Sequence, residues 1–521
     1  MGLARTRGVA LVGVEGHLVD VEADLGVGVP SYTLVGLPDA SLAESRDRVR
    51  AAMVNSGHDW PATKRVTVNL SPASLPKRGS SFDLPIAVAI LAAQGVVPAG
   101  AFEGAVLLGE LGLDGRLRPV RGVLPSVAAA ARVGATAAVV PIGNAEEAAL
   151  VPGVQVTGHR TLAGLVARAR GEEPPAVELV AEPVLSPPPD DAVPAHVPDL
   201  SEVLGQATAR YLVEVAAAGG HHLLMLGPPG AGKTLLAERL PGLLPALDRA
   251  SALEVTAVHS VAGVLGDGAG PLVDRAPFQA PHHTASVAAV VGGGSTQVRP
   301  GAASLAHRGV LFMDEAPEFA PAVLDALREP LESGEITVAR LAARVRFPAR
   351  FQLVLAANPC PCGLAITAPG AVSRCRCTPM ARIRYLGRLS GPLLDRVDLQ
   401  IEMLPASRAD LRAAPGAAES TAVVAERVAV ARERMAARLA GTPWRANGEV
   451  PGHVLRRRWR LPWEVVGEAE RLLDRGALTA RGVDRVVRVA WTVADLAGRD
   501  APDAGDIRVA LDCRGVSRWA A

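Results

Sequence analysis

Residues 227–234 read GPPGAGKT, and residues 310–315 read VLFMDE, an apolar run closed by two acids. A triphosphate is dense negative charge, so holding it takes backbone N–H groups that converge from a tight loop at the positive end of a helix. Gly227, Gly230 and Gly232 permit such a loop, with Pro228, Pro229 and Ala231 between them. Lys233 would then reach the outer phosphates, and the Thr234 hydroxyl would take a Mg2+ that Asp314 completes through water. Glu315 follows as the group that polarises the attacking water, and Asn358 closes a third apolar run, QLVLAAN. The set in this order implies binding and hydrolysis of ATP. The chain carries 54 Lys and Arg, yet only Lys64, Lys77 and Lys233 are lysine, so a sequence that otherwise uses arginine keeps lysine here. The alternative, a glycine-rich turn before an ordinary helix, fits poorly with HLLML before the loop and TLLAERL after it.

Positioning these residues takes strands alternating with helices, hence an α/β fold with a doubly wound parallel sheet whose ligands sit at the carboxyl ends of its strands. That segment is expected over 199–407. From 408 to 521 the pattern turns helical, with helices expected at 418–440 and 463–475 and two or three more over 479–517. Before it, 171–198 is rich in proline and acid and reads as a linker. Residues 1–170 alternate β-type runs such as RVTVNL and AVLLGEL with alanine-rich helical stretches at 41–55 and 84–94, an α/β segment of its own.

At 521 residues and 49% apolar content, cores are amply supplied, but aromatics at 3% leave Ala, Val and Leu to pack them. A net charge of +1 selects no partner. No apolar run is long enough to cross a bilayer and no cleavable signal pattern opens the chain, so the cytoplasm is expected, with no membrane partner. MGLART matches a myristoylation pattern, a six-residue match that carries little weight. Five cysteines, four of them clustered, argue against a secreted disulfide framework.

Charge is unevenly placed. No acid lies between Glu335 and Asp395, while nine arginines do: Arg340, Arg344, Arg346, Arg350, Arg374, Arg376, Arg382, Arg384 and Arg388. In VARLAARVRFPARF, Arg344 and Arg346 alternate with Val345 and Phe347, so a β-hairpin would bury one face and offer guanidinium groups on the other. Arg340, Arg344 and Arg346 are therefore candidate contacts to nucleic-acid phosphates, against the plainer reading of a solvated edge that discourages sheet pairing. Scarce aromatics predict backbone contact without base reading. The basic run 456–460, RRRWR, reads more simply as a solvated helix entry.

Cys360, Cys362, Cys375 and Cys377 form CPC and CRC twelve residues apart, which suits a structural tetrahedral Zn2+. The one-residue spacing within each pair is tighter than the usual knuckle, and buried reduced thiols or a redox pair stay open. Cys513 stands apart as a packed residue. His282 and His283 are adjacent and tend to diverge, so they read as part of an insert and not as metal ligands.

SLAHRGVLFMDEAPEF, LAANPCPCG, RLSGPLLDRVDL and ARGVDRVVRVAWTVADLAG together resemble the YifB/ComM group of magnesium-chelatase-like AAA+ ATPases, as do VGLPDASLAESRDRVRAAMVNSG and VNLSPASLPKRGSSFDLPIA nearer the start. The resemblance implies a hexameric ring with ATP between neighbouring subunits and a helical lid over 408–521. It further implies a DNA helicase that promotes branch migration on single-stranded or branched DNA in natural transformation or recombination, with recombination proteins as partners. Asn358 resembles the sensor that helps place the water, Arg396 in GPLLDR the arginine finger given to the next subunit, and Arg481 the second sensor that touches the nucleotide from the lid. On residues alone, Arg396 between Asp395 and Asp398 reads equally as a surface ion pair. For residues 1–170 the resemblance implies a ribosomal S5 domain 2-like, Lon-protease-like fold. Ser81 in PKRGSSFD stands where a nucleophile would, but the later segment that resembles the one supplying its lysine holds none, so the segment reads as non-catalytic. The other readings are a chelatase-type protein-remodelling ATPase that assists metal insertion and a nucleotide-gated scaffold.

Overall fold

The structure, a computed structural model, describes residues 2–77, 79–175, 198–265, 272–294, 298–339, 344–365, 374–405, 407, 410, 412 and 418–514. Most of the expected linker, 176–197, lies outside the described residues, as does Arg340.

The chain opens on a long antiparallel hairpin of β1 (Gly2–Val12) and β2 (Glu15–Gly26), in register from Gly2 opposite Leu25 to Val12 opposite Glu15. Val19, Val21, Ala23 and Leu25 are buried at the period of two that a half-covered strand requires. β3 (Ser31–Val35) runs parallel to β4 (Arg65–Ser71), which pairs antiparallel with β2, for a sheet order of β1-β2-β4-β3. The helix Asp83–Ala93 is apolar all round and buried from Asp83 to Leu91, as a helix covered on every side must be. Burial pushes the Asp83 carboxyl up to about 6, against the two hydrogen bonds Arg48 donates to it at 2.7 and 3.0 Å. Beyond it come β5 (Ala105–Leu107), the small hairpin β6 (Glu110–Leu111) and β7 (Leu117–Arg118), then β8 (Ala137–Pro141) and β9 (Gln155–His159). β5, β8 and β9 form a second, parallel sheet.

The following strands are β10 (Leu223–Leu226), β11 (Phe278–Gln279), β12 (Val310–Met313), β13 (Glu335–Ala339), β14 (Arg344–Pro348), β15 (Gln352–Ala357) and β16 (Leu399–Glu402). Five of them make an all-parallel sheet in the order β11-β12-β15-β10-β16, while β13 and β14 pair only with each other. β12 and β15 are buried at every residue, as strands covered on both faces must be. The architecture is thus α/β and AAA+-like, with the chain reversing beside β10 and opening the carboxyl-end crevice.

The C-terminal helices are Thr421–Leu439, Gly452–Arg458, Trp463–Asp474, Ala480–Leu496 and Ala504–Asp512. They stack on the helix Ala207–Gly219, where Leu212, Val213 and Ala216 share one core with Val428, Ala431, Val486 and Val493. Thr479 caps the fourth of these helices and a reciprocal Asp503/Asp506 box starts the fifth, so two helices stand in the described part of 479–517. The run 456–460 does not open a helix. Arg456, Arg457 and Arg458 form the last turn of one, where cations meet the negative end of the dipole, and Arg456 pairs with Asp484.

Candidate functional site

Gly230 and Gly232 take φ values of 78° and 88°, a conformation an L side chain rarely adopts, and Gly232 hands the chain directly to the helix Lys233–Leu243. The loop 227–234 therefore wraps a helix start at the end of β10. Lys233 is 8% exposed, and its ammonium donates to the Gly227 carbonyl at 2.6 Å, the Pro228 carbonyl at 3.0 Å and Asn358 Oδ1 at 3.2 Å. Burial lowers its pKa, with Asp314 and Glu315 opposing. The Thr234 hydroxyl donates to Asp314 Oδ2 at 2.8 Å, so the two groups that would share a Mg2+ already touch. Lys233, Thr234, Asp314, Glu315 and Asn358 thus converge at the carboxyl ends of β10, β12 and β15, as the parallel sheet requires. These residues fit a Mg-nucleotide: amide donors and a lysine for phosphate, a hydroxyl and a carboxylate for the ion.

Glu315 sits at φ 50°, ψ 43°, a left-handed conformation rare for a residue with a side chain, and its N–H donates to Asp314 Oδ1 at 2.8 Å. His283 Nδ1 lies 3.3 Å from the Glu315 carboxylate, and the rings of His282 and His283 are 4.1 Å apart. Sequence reasoning placed these histidines in an insert and missed this contact, for which no local spacing gives a signal.

Arg396 and Arg481 stand elsewhere. They line a cavity of about 1160 Å³ at the amino ends of the strands, together with Arg308, Arg350, Arg485 and Arg488, and no residue of 227–234 lines it. Arg396 pairs with Glu332, and its Nε is buried without a hydrogen-bond partner. Arg485 donates to the Arg396 carbonyl at 2.9 Å and to Asp398 at 2.7 Å. Asp398 also meets His221 Nδ1 at 3.1 Å, and the far nitrogen of that ring meets Thr492 at 2.7 Å. Burial alone would raise the Asp398 pKa, but the His221 hydrogen bond and the Arg485 and Arg488 charges outweigh it and hold the carboxyl down. A buried ionic web thus ties the finger candidate to the helix Ala480–Leu496 that also carries Arg481.

β13 and β14 form the antiparallel hairpin read from the alternation, with Arg346 opposite Thr337 and Arg344 opposite Ala339. Arg344 and Arg346 are exposed while Val345 and Phe347 are buried. The buried face packs on Val261 and Val298 and on Leu11, Val12 and Val14 around the β1–β2 turn. A Cβ added at Gly13 would fall 2.7 Å from the Arg346 carbonyl oxygen.

The four clustered thiols converge: all their sulfurs lie within 4.8 Å of one another. Ser81 lines a cavity of about 340 Å³ beside Ser80, Glu110 and Arg121, and no lysine lines it among the described residues. Lys77 is fully buried and its amine is spent on the Pro72 carbonyl, while Lys64 is exposed.

Family profiles described as magnesium chelatase, subunit ChlI, match residues 199–411; subunit ChlI of Mg-chelatase, residues 21–144; and the subunit ChlI C-terminal region, residues 418–514. Protein Rv2897c of Mycobacterium tuberculosis (strain H37Rv) is 52% identical over 514 residues, covering 99% of both chains. Protein YifB of Escherichia coli K12 is 40% identical over 521 residues, covering 99% of this chain and 98% of its own. The competence protein ComM of Haemophilus influenzae is 42% identical over 500 residues, 96% of this chain and 94% of its own. A Lon protease of Roseiflexus castenholzii is 29% identical over a shorter stretch of 153 residues. Similarity of this extent, carried through nearly the whole length, places the chain in the YifB/ComM group of magnesium-chelatase-like proteins.

Proposed function

We propose that the chain is an ATP-hydrolysing AAA+ ring motor, working as a homo-oligomer of hexamer type, that grips single-stranded or branched DNA and drives branch migration. The segments 1–170, 171–198, 199–407 and 408–521 would serve it as Lon-like accessory domain, linker, motor and lid. ATP, Mg2+ and a structural Zn2+ are its cofactors. The observation that supports this reading is the gathering of Lys233, Thr234, Asp314 and Asn358 at the carboxyl ends of the sheet, in a chain whose β13–β14 hairpin exposes Arg344 and Arg346. Relatedness to a competence protein favours natural transformation or recombination as the setting, with recombination proteins as partners in the cytoplasm. The ChlI profiles favour a second reading, a chelatase-type remodelling ATPase that assists metal insertion. ATPase rates measured on single-stranded, duplex and four-way DNA at several salt concentrations separate the two. Stimulation by DNA that fades as salt rises supports the motor, because phosphate contact releases counterions. Stimulation by a protein partner alone supports the remodeller.

Arg396 and Arg481 belong to the neighbour's nucleotide in this reading, since they share a cavity at the sheet end opposite the chain's own phosphate loop. A planar donor offered across a subunit boundary rewards the charge that develops on the γ-phosphate only once the ring has closed. Mixing equal amounts of Lys233→Ala and Arg396→Ala chains should restore turnover at about one interface in four. A mixture as inactive as its components would place the finger in its own subunit's site.

A further inference from the structure

We infer that Cys360, Cys362, Cys375 and Cys377 bind one Zn2+ and that this ion clamps the sensor Asn358 and the phosphate loop in register. Cys360 and Cys362 Sγ are 3.3 Å apart, Cys360 and Cys375 3.6 Å, and Cys362 and Cys375 3.5 Å. A disulfide would need about 2.05 Å between sulfurs. Zn–S bonds of about 2.3 Å in a tetrahedron set sulfurs about 3.8 Å apart, close to the spacings among Cys360, Cys362 and Cys375, and the Cys377 sulfur lies within 4.8 Å of each of them. Four cysteines close the shell and leave no position for water, the arrangement of a structural site. Backbone amides support the charge: Leu364 hydrogen-bonds Cys362, and Ala365 hydrogen-bonds Cys360.

The location gives the site its consequence. Cys360 follows Asn358 by two residues, and Asn358 Oδ1 faces the Lys233 ammonium. Gly363, inside the same turn, takes φ +75°, and a Cβ on it would fall 2.6 Å from Pro229 Cδ in the phosphate loop. One ion therefore ties the end of β15 to the loop that cradles phosphate. Nothing in the phosphate chemistry demands such a tie, but a sensor at a strand end has only its own turn to hold it. Without the ion, the turn 358–365 loosens and Asn358 loses its position, while the amides of 227–234 still bind nucleotide. The clamp's effect on turnover rests on the ATPase reading. Metal binding does not.

The test uses the full chain. Purified without added metal, the wild type should carry one equivalent of zinc by elemental mass spectrometry, and cobalt exchange should give the visible bands of a tetrahedral tetrathiolate. Cys362→Ser and Cys375→Ser should each lose the metal, whereas Cys513→Ser should keep it. Nucleotide affinity of the two ligand variants should stay within about twofold while turnover falls about tenfold or more. Hydrogen exchange over 352–365 and 227–234 should rise in the same variants, which reads the clamp even if turnover fails for other reasons, and exchange at the wild-type level in segments remote from the site rules out global unfolding. Substoichiometric zinc, or a disulfide among these cysteines in freshly isolated protein, would overturn the site. Metal loss that leaves exchange over 227–234 unchanged would overturn the clamp. A wild type that holds zinc, with ligand variants that show the exchange effect, and that yet hydrolyses no ATP would sink the ATPase reading and leave this one standing.

Discussion

Lys233→Ala should lower ATP turnover by about a thousandfold, because it removes a compact charge from a largely buried position in the proposed phosphate site, where nothing else can replace it. Lys64 is exposed and Lys77 is committed to the Pro72 carbonyl, so neither can substitute. Lys233→Arg should fare little better, since a planar guanidinium cannot occupy the pocket of an ammonium that sits 2.6 and 3.0 Å from two carbonyls. The carbonyls it leaves border the loop and not the core, so circular dichroism and melting should match the wild type. Phosphate release under saturating Mg-ATP is the measurement. A variant that keeps a tenth of wild-type turnover would remove the loop from the chemistry.

Reversing Arg344 and Arg346 together to Glu should abolish the DNA-stimulated part of hydrolysis and leave the basal part within about twofold. Both side chains are exposed, so the fold loses nothing, and Val345 and Phe347 keep the buried face intact. Two lost phosphate contacts should flatten the slope of log affinity against log salt by about two, with affinity near 0.1 M salt down by about a hundredfold. Arg475→Glu, at an exposed site on the C-terminal helices, is the control and should change neither. If the double reversal retains full stimulation, the hairpin is an ordinary charged edge.

How much of this was legible in the chain differs by residue. The phosphate loop, Asp314, Glu315 and Asn358 could be read because each lies at the end of a short apolar strand, and the parallel sheet then brings those ends together without further instruction. The hairpin alternation was equally local. Its cover was not: Leu11, Val12 and Val14 lie far off in sequence, and no pattern near Val345 names them. The strand order, which sends Arg396 and Arg481 to the end opposite Lys233, is likewise a product of tertiary packing. His283 meets Glu315 through a loop whose path no periodicity specifies. The cysteine pairs were visible as a cluster, but only folding decides whether four sulfurs point to one centre, and here they do.

The seat of Gly13 against the Arg346 carbonyl leaves no room for a methyl group. Close-packed surfaces pass displacement on instead of absorbing it. The opening hairpin therefore backs the arginine hairpin: displacing Arg346 toward it would meet Gly13, and pulling it away would expose the small apolar cluster shared with Leu11 and Val12. If the proposed motor reading holds, the first segment thereby limits how far the arginine hairpin can travel.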